Sequence, residues 1–326
     1  MMRTYGPACD GSLVEAEHAH TIPPTATWID LEEPTREEEV AVERLTGIAI
    51  PTRDDMVEIE PSSRLYEENG ALFMTLSTLC GVEDGMPTTE PIAFVLAKDK
   101  LVTVRYATPK PVRVFVAEMR RRPELAGDAM KVMLKLLDAI VDRTADELER
   151  SGAEMEELSR KIFHERVDER RIPAKNLTAL LSRIGRAQSL LARVRETNVS
   201  TLRLLTFLAG TERLHGPGSE AARDRITSLQ ADVTALLDHA GYLGDDLTFQ
   251  LDASLGLISI EQNAAMKLFS WVAIVFMPPT LIAGIFGMNF KYMPELDEVW
   301  GYPMSLALML LSAILPLVYL KRRGWI

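Results

Sequence analysis

Cysteine is nearly absent from this 326-residue chain: Cys9 and Cys80 are too few and too far apart for a disulfide framework or a thiolate zinc site. That scarcity fits a reducing cytosol. Histidine is sparse too, and of His18, His20, His164, His215 and His239 only the first two are close, in a polar N-terminal stretch that reads as a disordered tail. Residues 1–25 hold no apolar core behind an early basic cluster, so no secretory signal is expected and the N-terminal body is expected to stay inside. No nucleophile-and-base pair, histidine cluster or glycine-rich phosphate loop is present, which argues against enzymatic chemistry, an organic cofactor and ATP-driven transport. Positive charge is also in deficit. With 36 Lys and Arg against 47 Asp and Glu, the net charge of −11 excludes a basic nucleic-acid surface. An acidic surface suits a protein that meets cations, or one that is simply kept soluble by its acids.

Long uncharged apolar runs are missing until the last sixty residues, which hold two, Leu268 to Met288 and Val299 to Leu320. At 21 and 22 residues, each is long enough as a helix to cross a hydrocarbon core of about 30 Å. The implied layout is a first transmembrane helix over 267–289, an external loop over 290–298, a second transmembrane helix over 299–320 and a basic tail over 321–326. Lys267 precedes the first span and Lys321, Arg322 and Arg323 follow the second, whereas the loop sets Lys291 against Glu295, Asp297 and Glu298. Positive flanks belong on the cytoplasmic side, so both termini are expected there in a multi-pass plasma-membrane protein.

Upstream, residues 1–125 read as an α+β cytosolic domain. Ala71 to Cys80, Ile92 to Ala97 and Leu101 to Tyr106 read as strands, and Thr35 to Thr46 and Pro111 to Arg121 as helices, with Thr35 and Glu38 forming a capping box. Residues 126–266 read as a long-helix stalk. Apolar residues keep helical spacing over Asp128 to Arg166 and, after a break at Arg171-Ile172-Pro173, over Ala174 to Leu208. From Ser219 to Met277 there is no proline, so a helix of 59 residues, roughly 90 Å long, would make the first span the distal end of a rod rooted in the body. Gly241 and Gly244 offer the alternative of two helices meeting at a break.

Within the first span Asn263, Met266, Ser270, Ala273, Met277, Thr280 and Gly284 recur by threes and fours. Such a stripe either packs closely on another helix or lines a pathway. Asn263 and Met266 are too large to favour close backbone approach, which points to the pathway. Two spans cannot enclose a channel, so several copies must ring it. Pro278 and Pro279 remove two donors mid-span, which reads as a kink serving as a hinge or polar collar, or as prolines tolerated because neighbours satisfy the freed carbonyls. At the end of the span, Gly287-Met288-Asn289 could cap the helix with a left-handed residue. It could also grip a hydrated cation: Mg²⁺ sheds water reluctantly, and a ring of Asn289 carbonyls with Gly287 backbone carbonyls would hold that water by outer-sphere hydrogen bonds. Holding must stay weak for the ion to leave. Glu295, Asp297 and Glu298 read either as a solvated loop or as a carboxylate ring that concentrates cations at the mouth.

Phe286-Gly287-Met288-Asn289-Phe290, then Met293-Pro294-Glu295-Leu296, Gly301-Tyr302-Pro303 and the basic terminus from Lys321, together resemble the CorA family of divalent-cation channels. The resemblance extends back through Asp252-Ala253-Ser254-Leu255-Gly256 and Ile260-Glu261-Gln262-Asn263, covering about the last 75 residues closely and the first 240 only in layout. It implies a funnel-shaped homo-pentamer in the lipid bilayer that admits Mg²⁺, and also Co²⁺ or Ni²⁺, and is gated by internal Mg²⁺. It further implies a selectivity mouth at Gly287, Met288 and Asn289, pore positions at Asn263, Met266, Met277, Thr280 and Gly284, and a gate at Phe269, which lies slightly off the stripe. Asp252 resembles the family's regulatory metal position, and Glu83 and Asp84, after a predicted strand, are candidates for its acidic partners. Phe286 stands where many members carry Tyr, which removes a hydroxyl near the mouth. A zinc transporter of the same superfamily is the alternative, although Met288 favours Mg²⁺, since zinc relatives commonly carry Val or Ile there. A membrane-anchored helical scaffold is the distant one.

Overall fold

The computed structural model describes residues 1–7, 9–58, 60–163, 174–216, 218–288, 291, 293–294 and 299–323. The chain divides into two compact units, Met1–Leu251 and Asp252–Ile326.

The first unit is built on a seven-stranded sheet. Its strands are β1 (Met2–Gly6), β2 (Cys9–Val14), β3 (Trp28–Glu32), β4 (Leu65–Glu68), β5 (Ala71–Cys80), β6 (Thr88–Ala97) and β7 (Lys100–Arg105), in the order β2-β1-β3-β7-β6-β5-β4. Only β3 and β7 pair in parallel. Side chains alternate between the two faces of a strand, so β5 sends Leu72, Met74 and Leu76 to one core and Ala71 and Phe73 to the other. β6 divides likewise, with Ile92, Phe94 and Leu96 against Ala93 and Val95. Because both faces are covered, these strands read as nearly continuous apolar runs.

On one face lie the short helices α1 (Arg36–Thr46), α2 (Arg53–Val57) and α3 (Pro61–Arg64) with the 3₁₀ turn Ala16–Thr21. α1 begins with the expected capping box: the Glu38 amide donates to the Thr35 hydroxyl at 3.3 Å, and the Thr35 amide donates to the Glu38 carboxylate at 3.0 Å. Thr35→Ala is expected to cost about 1 kcal/mol, read as a lowered Tm of the purified protein. The other face carries α4 (Lys110–Arg121), α5 (Ala129–Phe163), α6 (Ala174–Ala209) and the start of α7 (Glu220–Phe286).

One expectation is corrected here. The N-terminal stretch is not a disordered tail. Met2 and Tyr5 are fully buried, β1 is hydrogen-bonded to β2 and β3, and His18 and His20 belong to the 3₁₀ turn. β2 is a local hairpin partner, but β1 also pairs with β3, more than twenty residues away, and that pairing is marked by no local pattern. The long proline-free helix is continuous: α7 runs as one 67-residue element through Gly241 and Gly244, and the alternative of two helices meeting there is not observed. Gly244 lies against α6, where an added Cβ would sit 3.6 Å from Leu191, and Leu243 reaches over Gly152 of α5. Both are ordinary van der Waals distances, and a Cβ on Gly241 would meet nothing within 4 Å. The predicted break at Arg171-Ile172-Pro173 lies outside the described residues.

The second unit holds the end of α7 and α8 (Gly301–Arg322). Both helices are long and apolar enough to cross a membrane.

Candidate functional site: an apolar helix with a polar stripe

In the second unit, Asn263, Met266, Ser270, Ala273, Met277, Thr280 and Gly284 are all exposed, as is Phe269 beside them. Over residues 261–286 the partly shielded residues of α7 are instead Glu261, Ala264, Trp271, Val275, Pro278, Pro279, Ile282 and Phe286. At about 100° per residue these fall nearly opposite the stripe. α8 has a matching seam in which Gly301, Ser305 and Leu320 are buried and Met309, Ser312 and Pro316 are half-buried. Small residues recur there, as in seams where membrane helices approach closely. The polar stripe is therefore not the face that the chain covers by itself. A single chain leaves it open.

α7 continues helically through Pro278 and Pro279. The Thr280 hydroxyl donates to the Phe276 carbonyl at 2.7 Å, which commits its proton to the helix. Only oxygen lone pairs then remain to face outward, and the water shell of a cation, whose hydrogens point away from the ion, is met by acceptors of that kind.

The helix stops where the motif begins. The Gly287 amide donates to the Ala283 carbonyl at 2.9 Å and the Met288 amide to the Ile285 carbonyl at 3.2 Å. Gly287 does not have the left-handed φ of a conventional glycine cap. What favours glycine is proximity, because a Cβ would lie 3.0 Å from the Ala283 carbonyl oxygen. Asn289 and the loop acids Glu295, Asp297 and Glu298 lie outside the described residues.

Asp252 is exposed on α7, two residues before the buried Ser254 and so on a different face of the helix. In the first unit Glu83 follows β5 and is paired with Arg143 at 2.8 Å and Lys110 at 3.5 Å. Its own backbone amide, opposed next by desolvation and then helped by the Arg143 and Lys110 charges, holds the Glu83 carboxyl below the usual range. Asp84 is exposed in the same turn. Among the described residues no three His, Cys, Asp or Glu side chains are gathered to hold a metal.

The Arg143 cluster was not visible to sequence reasoning. Arg143 also pairs with the buried Glu147 at 2.7 Å, and Glu147 with Arg150 at 2.8 Å. One turn away the Thr144 hydroxyl donates to Asn198 of α6 at 2.8 Å. Arg143 and Glu147, charged residues among the mostly apolar inward positions of α5, were the available signal.

The whole chain can be set beside known proteins. A family model described as "CorA-like Mg2+ transporter protein" matches residues 25–322. The magnesium transport protein CorA of Haemophilus influenzae is 32% identical over 317 residues, covering 97% of this chain and 98% of that protein. Its namesake from Escherichia coli K12 is 33% identical over 301 residues, 92% of each. In structure, the complete CorA magnesium transporter of Methanocaldococcus jannaschii superposes with a TM-score of 0.75 at 20% identity, over 100% of this chain and 98% of that one. The full-length CmaX protein gives 0.65 at 15% identity, over 96% and 91%. The fold, with its α/β domain, long helices and two C-terminal transmembrane helices, is thus shared across a wide range of sequence, and the chain belongs to the CorA family of Mg²⁺ transporters.

Proposed function

We propose that this protein admits Mg²⁺, and with it Co²⁺ and Ni²⁺, into the cytoplasm down the electrochemical gradient, through a pore ringed by α7 from five copies. The carrying observation is the open stripe from Asn263 to Gly284, nearly opposite the shielded seam of α7. Copies assembled with that stripe inward and α8 outward give a pathway lined by Asn263, Met266, Ser270, Ala273, Met277, Thr280 and Gly284, with Phe269 as a constriction. Acceptor oxygens suit the outer face of a hydrated ion, and Mg²⁺ crosses more readily if it need not shed all its water. Gly287, Met288 and Asn289 form the mouth in this reading, where neutral oxygens bind loosely enough to release. Glu295, Asp297 and Glu298 raise the local cation concentration outside. Both termini are cytoplasmic, as the basic flanks at Lys267 and Lys321–Arg323 support.

Internal Mg²⁺ closes the pore by binding between Asp252 and acids of the N-terminal domain. Glu83 and Asp84 are candidates, but Mg²⁺ at Glu83 must compete with Arg143 and Lys110. The ion shifts the gate only by its difference in affinity between closed and open forms.

The test is influx into liposomes loaded with a fluorescent Mg²⁺ indicator, comparing wild type with Asn289→Ala. Wild-type influx suppressed by internal Mg²⁺, and a fall of about tenfold or more in the variant, are expected if the mouth ring supplies water-binding contacts on the scale of hydrogen bonds to a charged group. Zn²⁺ flux driven by a proton gradient, with little Mg²⁺ flux, would move the protein to the zinc branch. An assembled protein passing no ion would leave only an anchor.

A further inference from the structure

A second site lies in the N-terminal domain, between the β1–β2 hairpin and the end of α4. A pocket of about 470 Å³ opens there, lined by Arg3, Tyr5, Leu13, Met119, Arg120 and Ala126 among others. Tyr5 is 2% exposed and its ring stacks on Trp28 with centroids 4.5 Å apart. Its hydroxyl is buried, yet it has no hydrogen-bond partner among the described residues. Natural cores rarely leave such a group unmet, and water, an ion or a ligand commonly meets it.

The charges around the hydroxyl are of one sign where they are unpaired. Arg3 is half-buried and reaches only the Gly11 carbonyl at 3.5 Å, Arg120 is exposed in the last turn of α4, and neither forms an ion pair among the described residues. Burial and then the Asp30 charge push the Tyr5 phenol up to about 12, while Arg3, Arg120 and Arg105 pull it down. The phenol therefore stays protonated and able to donate at neutral pH. Asp30 is already matched, since Arg105 grips it through Nε at 3.1 Å and Nη2 at 2.9 Å.

Gly11 keeps the hairpin tight over the ring: with φ at +84°, a Cβ there would stand 2.3 Å from Tyr5 Cε1. Leu13, Met119 and Ala126 supply an apolar wall. On a chain of net charge −11, two guanidiniums and a buried donor, all without an ion pair or acceptor side chain among the described residues, do not follow from composition.

We propose that this pocket binds a small organic anion, its phosphate or carboxylate held by Arg3, Arg120 and the Tyr5 hydroxyl and its body lying on the apolar wall. Guanidinium forks suit both oxyanions, and the volume is that of a small-molecule site rather than of a bare ion. The site is separate from the transmembrane helices and gives the protein a way to sense a soluble metabolite.

Purified full-length protein in detergent, titrated calorimetrically at about 150 mM salt to suppress loose surface binding, tests this. Adenosine 5′-monophosphate probes the phosphate class, citrate the carboxylate class and inorganic phosphate the bare ion. At least one organic anion is expected to bind once per chain, about tenfold or more tighter than inorganic phosphate. Arg120→Ala, at an exposed helix position, should weaken it by about tenfold or more, and Tyr5→Phe, which keeps the ring on Trp28, by several-fold. The proposal fails if neither organic anion saturates the protein, if inorganic phosphate binds as tightly, or if both variants retain wild-type affinity.

Discussion

Influx through an Ala273→Cys variant is expected to fall by about tenfold or more once a cationic thiol reagent is attached, while Val272→Cys loses less than about twofold. Ala273 lies on the open stripe, and its neighbour Val272, also exposed, points well away from it. If α7 lines the pore by its stripe, the attached charge stands near the conduction axis. At a separation of about 8 Å and an effective dielectric of about 20, a single positive charge opposes a divalent ion by about 4 kcal/mol. Water in the pore screens part of that, and a ring of copies restores it, so about tenfold is a conservative expectation. The scarcity of cysteine makes the measurement clean. Burial, aided by the charges of Glu90 and Glu83, pushes the Cys80 thiol up to about 12, so it should react slowly at neutral pH, and Cys9 can be replaced by Ser. Block at Val272 with none at Ala273 would place the pathway on another face of α7.

Asp30→Ala is expected to destabilise the protein by about 3–5 kcal/mol, read as a large fall in Tm of the detergent-solubilised chain. Asp30 and Arg105 sit on β3 and β7, the one parallel pair of the sheet, with side chains only 1% and 4% exposed. The carboxylate accepts from Arg105 and from the Thr103 hydroxyl at 2.8 Å, and Thr103 in turn accepts from the Trp28 indole at 2.9 Å. Removing Asp30 strands a guanidinium inside the domain, and the orphaned charge costs more than the intact pair was worth. Glu32 at 2.9 Å and the Ala107 carbonyl at 2.9 Å still hold Arg105 Nη1, so a loss below about 1 kcal/mol would show that they suffice without Asp30.

The same cluster sets a pH response. Although burial alone would raise it, hydrogen bonds from Thr108 and Arg105 hold the Glu32 carboxyl below its ordinary value. Its folded pKa is depressed, so its contribution is complete above the ordinary carboxylate pKa of about 4.3 and fades as pH falls through the folded value. An acid titration of Tm should lose this contribution in Glu32→Gln.

The part of the protein that meets the membrane was legible in one dimension. Lipid offers no partner for backbone groups, so a span must be a helix satisfied within itself, and its length, its stripe and its end all appear in consecutive residues. The β5 to β7 strands and the α1 capping box were legible for a similar reason, since short apolar runs and caps are decided within ten residues. β1 and β3 were not. β2 lies next to β1, but β1 is also paired with β3, and β3 with β7 about seventy residues later, partners that short-range spacing does not show. The continuity of α7 was legible in its proline-free run; propensity treats Gly241 and Gly244 as weak points, and the helix passes through both with Leu191 of α6 and Gly152 of α5 beside that stretch.

Glu83 and Tyr5 show the same division in function. As letters, Glu83 and Asp84 are a plausible acidic partner for a cation, and Tyr5 is an unremarked residue near a terminus. Folding brings Arg143 sixty residues to Glu83 and spends that carboxylate on an ion pair. It sets Tyr5 between Trp28 and the hairpin, with Arg3 and Arg120 beside a hydroxyl left unmet. What a residue offers chemically is written in its identity, and hydrophobic run lengths and short-range spacings can be read along the chain. Which charges are already satisfied, and which buried donors still need a partner, depends on groups far apart in sequence, and only the packed structure decides it.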